Sequence, residues 1–209
     1  MAHVFAYGSL LLPESLARTL PGVDPDDCVP ARCRGRRRTF GVAFPNGGSQ
    51  PDKAYLDADG RRPAHVLFAT LVPTGVGTVD RAGQPLDRAG AVNGACIPVC
   101  ADDLAALRDR ELRYCLVDVT ARVRPYPGHP PLHGPVLAFV GRPQFTRPED
   151  VAAGVAPHEY VESIARGAVH WEGCCAGFLA DFAASTEPPA AVAALTRVDL
   201  APRPGAPAG

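Results

Sequence analysis

A chain of 209 residues with 46% hydrophobic and 21% charged residues carries enough apolar material for a packed core and far too much for a disordered chain. Its formal net charge of -1 and pI near 6.6 create no field for nucleic acid or an anionic membrane, and its longest apolar stretch, 66–72, is far too short to span a bilayer. Seven cysteines, an odd number at irregular spacings, read as reduced thiols of a cytoplasmic protein, and the N-terminus lacks the basic start of a signal peptide.

In chain order, residues 3–7 read as a buried first strand that Gly8-Ser9 breaks. Pro13 suits the first turn of a short helix through Thr19, where a missing N–H costs nothing. Residues 31–44 read as extended, with Phe40, Val42 and Phe44 alternating toward one face. The Pro-, Gly-, Asn- and Asp-bearing stretch 45–63 reads as a mobile loop, and 74–90 as a second Gly- and Asp-rich excursion. Residues 64–72 and 91–99 are strands. Asp102 and Asp103 suit the positive end of a helix dipole and open a helix through Leu112. Residues 114–124 alternate, with Cys115, Val117, Val119, Ala121 and Val123 sharing one face. A Pro/His turn precedes a strand at 134–141; Pro157 opens a helix through Ala168, and a second helical stretch covers 173–184.

The chain therefore reads as one α+β domain over residues 1–186 and an Ala/Pro-rich tail over 187–209, expected to be disordered. Five to seven strands with flanking helices suit a small mixed β-barrel.

One carboxylate sits against the pattern of its helix. Glu111 follows Leu107 by four residues and Leu104 by seven, which places it on their apolar face, whereas Asp102, Asp103, Asp109 and Arg110 occupy other faces. Two readings are open. Glu111 lies at the helix rim and reaches water or Arg108, or it is partly buried with a raised pKa that suits proton transfer near neutral pH. The turn Tyr7-Gly8-Ser9-Leu10 has two readings as well. It is a plain tight turn, or a nest whose successive N–H groups hold an anion or a carbonyl oxygen.

Other motifs carry less. Ser9 lacks the Gly-x-Ser-x-Gly setting of a nucleophile and reads as structural. Cys96 and Cys115 alternate with apolar residues and read as core thiols. His129 and His133 have helix-like metal spacing in a Pro/Gly segment that cannot be helical. Arg32, Arg34, Arg36, Arg37 and Arg38 read as a solvated strand face, or as an attractor of phosphate or an acidic substrate.

Tyr7-Gly8-Ser9-Leu10, Val92-Asn93-Gly94 leading a strand, and Leu107-Arg108-Asp109-Arg110-Glu111 followed by Tyr114 together resemble the γ-glutamylcyclotransferase-like family. The basic strand ending in Phe40, and Tyr160 in the helix from Pro157, extend the resemblance to residues 3–170. The resemblance implies a compact mixed barrel with helices around it, no metal or organic cofactor, and a small-molecule γ-glutamyl substrate. By residue, it implies that Tyr7, Gly8, Ser9 and Leu10 hold the γ-glutamyl group, largely through backbone N–H groups. It makes Glu111 the general acid/base, with Tyr114 and Tyr160 as pocket contacts. The implied reaction is attack of the substrate's α-amine on its own γ-carbonyl, giving 5-oxoproline and a free amine or amino acid. The alternative is a non-catalytic γ-glutamyl-binding module of the same fold. Three features depart from the family pattern: Leu112-Arg113 where a glycine is common, long excursions at 45–63 and 74–90, and a terminal helix bearing Cys174-Cys175.

Overall fold

The computed structural model describes residues 1–48, 52–74 and 90–200. Its strands are β1 (Ala2–Ala6), β2 (Val29–Arg34), β3 (Arg36–Pro45), β4 (Lys53–Leu56), β5 (His65–Pro73), β6 (Ala91–Val99), β7 (Tyr114–Asp118), β8 (Val123–Pro125), β9 (Val136–Gly141), β10 (Gly154–Pro157), β11 (Val192–Ala193) and β12 (Thr196–Asp199). Its helices are α1 (Pro13–Thr19), α2 (Ala101–Arg110), α3 (Pro148–Ala152), α4 (His158–Cys174) and α5 (Phe178–Ser185).

The fold is mixed α and β. The strands pair in three sheets, ordered β7-β9-β1-β6-β2-β8, β11-β10-β5-β3 and β12-β4, and no closed barrel ladder runs through the described residues. β1 lies inside the six-stranded sheet, antiparallel to β6 and parallel to β9, so both of its edges are covered and Val4, Phe5 and Ala6 are buried. That position holds the residues after Ala6 at the rim of the core. Gly94 on β6 is required by the same packing, because a Cβ there would stand 2.3 Å from the Ala6 carbonyl oxygen.

Several sequence expectations change at this level. The extended stretch 31–44 is two strands in different sheets, parted at Gly35, whose φ of 69° suits the left-handed region that glycine tolerates. The segment 45–63 contains a strand, β4, paired antiparallel with β12. Residues 192–199, expected in a disordered tail, form β11 and β12, and Leu195 is buried against Phe44, Tyr55 and Val66. The Ala/Pro composition hid this because β12 is exposed along its length and is held by main-chain pairing to β4, which needs no apolar pattern. The alternation over 114–124 also breaks. The Asp118 carboxylate accepts the Thr120 N–H at 2.8 Å, a local turn that ends β7, and Cys115 and Ala121 are exposed. Residues 75–89 of the excursion read at 74–90, and residues 201–209, lie outside the described residues.

No helix among the described residues is long and apolar enough to cross a membrane.

Candidate active site

The acidic helix α2 starts with a reciprocal cap. The Asp103 carboxylate accepts the Cys100 N–H at 2.9 Å, and the Cys100 sulfur accepts the Asp103 N–H at 3.5 Å. Leu107 anchors the helix in the core with no exposed surface. Glu111 is its C-cap, closing on the Leu107 carbonyl at 2.9 Å, and the helix ends one residue before it rather than at Leu112. This places the Glu111 side chain inward at the helix end, with 22% of it exposed. Its ion-pair partner is Arg110 at 3.2 Å, not Arg108. Burial raises the Glu111 pKa, and Arg110, Lys53 and Arg113 oppose part of that rise.

The turn after β1 is held open toward Glu111. Residues Ser9–Leu11 form a 3-10 turn in which Leu11 N–H bonds the Gly8 carbonyl and Leu12 N–H the Ser9 carbonyl. The first N–H groups of such a turn have no partner within it, so those of Ser9 and Leu10 are offered outward. Gly8 has a φ of -112°, so its role is space rather than an unusual backbone: a Cβ there would stand 3.3 Å from the Tyr160 hydroxyl.

Three tyrosines surround this opening and differ in what they offer. The Tyr7 hydroxyl donates to the Phe139 carbonyl and is committed to β9. Tyr114 donates to the Ala69 carbonyl at 2.8 Å, which leaves its oxygen as an acceptor. Tyr160 accepts the Ala69 N–H at 3.2 Å, which leaves its own O–H as a donor. Burial raises all three pKa values, so each is a neutral phenol at physiological pH.

Tyr7, Gly8, Ser9, Leu10, Glu111, Tyr114 and Tyr160 line one cleft, together with β1, Ala69 and Phe139. All seven residues singled out in the sequence therefore meet in one place. The cleft is a shallow one that opens to solvent between these residues. Among the described residues no three His, Cys, Asp or Glu side chains group to hold a metal ion.

Two supports of the turn were not read from the sequence. The first is Arg38, expected on a solvated face and found with no exposed surface. Its Nε donates to the Tyr7 carbonyl at 2.6 Å, and its other nitrogens donate to the Asn93 carbonyl at 2.6 Å and the Thr186 hydroxyl at 2.5 Å. The Phe182 ring covers the guanidinium at 4.5 Å. A trans peptide points its N–H opposite its C=O, so gripping the Tyr7 carbonyl orients the Gly8 N–H. Burial pulls the Arg38 pKa down to about 9, with Tyr7, Tyr160 and Tyr126 opposing, so the group remains a cation at neutral pH. The sequence signal was parity: Arg38 stands two residues before buried Phe40 on the same strand.

The second support is α4. Trp171 Nε1 donates to the Leu11 carbonyl at 3.0 Å, and a Cβ on Gly167 would stand 2.7–2.9 Å from Leu11 and the Leu12 nitrogen. Gly167→Ala gains about 1 kcal/mol of helix propensity. It meets turn backbone that cannot yield without moving the site, an overpacking cost of about 1–3 kcal/mol. We expect a lower melting temperature together with a raised KM, measured by calorimetry and steady-state kinetics.

The chain has the γ-glutamyl cyclotransferase-type fold. It superposes on a γ-glutamyl cyclotransferase with a TM-score of 0.51 at 16% identity, covering 89% of this chain and 88% of that one. An uncharacterized protein from Homo sapiens gives 0.51 at 18% identity over 89% and 88%. A γ-glutamyl cyclotransferase specific to glutathione from yeast gives 0.50 at 13% identity over 89% and 97%. No protein-family model and no curated protein matches the sequence.

Proposed function

We propose that this protein is a γ-glutamylcyclotransferase-type enzyme that releases 5-oxoproline from a γ-glutamyl amide. The observation that carries the reading is a desolvated carboxylate, Glu111, sharing one cleft with the unpaired N–H groups of the Ser9-Leu10 turn. A carboxylate in this position pairs with the substrate's α-ammonium in a binding module as well; what burial adds is a raised pKa, which suits Glu111 to take that ammonium's proton and return it.

The substrate's α-ammonium gives a proton to Glu111, and the freed amine attacks the γ-carbonyl carbon. A C–N bond forms and closes the five-membered lactam. The carbonyl oxygen becomes an oxyanion that the turn N–H groups steady; removing one such donor typically costs about 10²–10³ in rate. The original amide C–N bond then breaks as Glu111 protonates the departing nitrogen. Two protons leave the attacking nitrogen and both end on the departing amine, which leaves as an ammonium ion, so no water or second substrate is consumed. Because both reacting groups belong to one molecule, holding the folded-back conformer supplies up to about 7–11 kcal/mol of the barrier reduction. Tyr114, an acceptor, suits the α-ammonium, and Tyr160, a donor, suits an anionic oxygen.

The test is a panel of γ-glutamyl amino acids, peptides and amines assayed for 5-oxoproline. Release from at least one member is the expected result; tight binding with no release from any member would instead indicate a binding module.

A further inference from the structure

Adjacent residues of a helix do not face one another. Arg110 and Glu111 nevertheless form an ion pair, Nε to Oε1 at 3.2 Å. The contact exists because the helix stops between them. Arg110 is the last residue of α2, and Glu111, its C-cap, has φ -91° and ψ 47°, outside the helical region. A helix C-terminus carries partial negative charge and disfavours a carboxylate, so a cation beside Glu111 relieves the site.

Arg110 is held on its far side as well. Its Nη1 donates to the Thr19 hydroxyl, which itself donates to the Ser15 carbonyl at 2.8 Å. The hydroxyl has spent its one proton and meets the arginine with a lone pair. Thr19 is the last residue of α1, and α1 begins two residues after the Ser9–Leu11 turn. One brace therefore runs from the turn, along the seven residues of α1, through Thr19 and Arg110, to the Glu111 carboxylate. The helical part of it is roughly 10 Å long. The Arg110 charge also acts on Tyr114 and Tyr160, which line the same cleft. With 39% of its side chain exposed, Arg110 adds little to stability through this pair. What it supplies is placement.

Resting on the cyclotransferase reading, we propose that Arg110, braced by Thr19, is the positioning residue of Glu111. It fixes one carboxylate oxygen, so the other is the one that meets the substrate's α-ammonium. Through α1 it also sets the carboxylate relative to the turn that steadies the reacting carbonyl. No bond forms or breaks at Arg110 itself. The charged and titratable groups facing Glu111 are Arg110 on α2, Arg113 just after it, Lys53 on β4, and the phenols Tyr7, Tyr114 and Tyr160. Burial raises the Glu111 pKa, and Arg110 is the strongest of the three cations opposing it. Without Arg110 burial lifts that pKa further, and the proton-accepting carboxylate appears only at higher pH.

The experiment follows kcat and KM against pH for the best substrate of the γ-glutamyl panel, in Arg110→Met, Arg110→Lys and Thr19→Val. Arg110→Met is expected to lower kcat about tenfold or more, since a displacement of about 1 Å can cost about 100-fold. It moves the acid limb of kcat/KM to higher pH and changes the melting temperature little. Arg110→Lys restores the cation and returns the limb toward its parental place. Thr19→Val keeps the shape and both charges but removes the acceptor, and it lowers kcat with KM nearly unchanged. An unmoved acid limb in Arg110→Met, or a parental kcat in Thr19→Val, overturns the assignment. The Glu111 titration is also read without turnover. Each protein and its matching Glu111→Gln form separate in melting temperature as pH rises, until Glu111 is fully ionised in the folded state. If that upper pH rises in Arg110→Met while no γ-glutamyl compound is turned over, the hold on Glu111 stands and the reaction alone falls. If it stays in place while turnover continues, the reaction stands and Arg110 is removed.

Discussion

Glu111→Gln is expected to lower the rate of 5-oxoproline release by about 10²–10⁴-fold, the usual contribution of a general acid/base. The same substitution is expected to raise the melting temperature at neutral pH. The amide keeps the shape of the side chain and cannot carry the proton. The stability effect follows from the pKa. Burial lifts it above the 4.5 of an unperturbed glutamate, against the pull of Arg110, Lys53 and Arg113. Between the unfolded and folded values the folded chain holds a proton that the unfolded chain has lost, so stability falls as pH rises through that window. Above it, the buried anion is a standing cost that glutamine lacks. The Arg110 contact does not reverse the sign, because Arg110 is 39% exposed and such pairs contribute only about 0–1 kcal/mol. Melting temperatures across pH check this. The two proteins converge below pH 4.5 and separate above it, and the acid limb of kcat/KM in the parent lies above the ordinary carboxylate range. A Gln variant that is more stable and as active as the parent would remove Glu111 from the chemistry.

The second large effect is at Arg38. Arg38→Met removes a buried cation, which by itself is often neutral or stabilising. Here it also strips a partner from the buried Tyr7 and Asn93 carbonyls, and an orphaned buried polar group costs about 1–3 kcal/mol. The orphaned groups outweigh the relief, and we expect a net loss of about 2–4 kcal/mol, read from denaturant unfolding. The turn loses its grip at the same point. At temperatures where the variant remains folded, kcat should fall about tenfold or more as the oxyanion donors lose alignment. Arg38→Lys, able to restore a bond to the Tyr7 carbonyl but not all three, should recover part of the rate. Loss of stability with a parental kcat would reduce Arg38 to a purely structural role.

The members of the cleft were legible because they violate or punctuate local patterns. Glu111 breaks the apolar face begun by Leu104 and Leu107, and Gly8-Ser9 interrupts an apolar strand. Tyr114 and Tyr160 were reached through family resemblance, because an aromatic near a strand start or in a helix carries no sign of its partner. Arg38 and Lys53 were missed for another reason. A run of arginines looks like a wet face, and a lysine in a Pro/Gly-rich stretch looks like a loop residue; only pairing partners remote in sequence bury them. Arg38 is covered by Phe182 and Thr186 of the distant α5 end, and Lys53 by Phe44, Phe68 and the paired β12.

By itself the sequence determined the mixed α and β composition of the chain, most of its strands and helices, the odd carboxylate on an apolar helix face and, separately, the glycine turn after the first strand, because periodicity and capping are local properties. Tertiary structure decided the three-sheet arrangement in place of a closed barrel and the use of residues 192–199 as strands. It also decided the charge environment of the cleft. Sheet order is set by main-chain pairing between segments far apart in the chain. Whether a charge is solvated or stripped of water depends on which distant side chains come to lie over it.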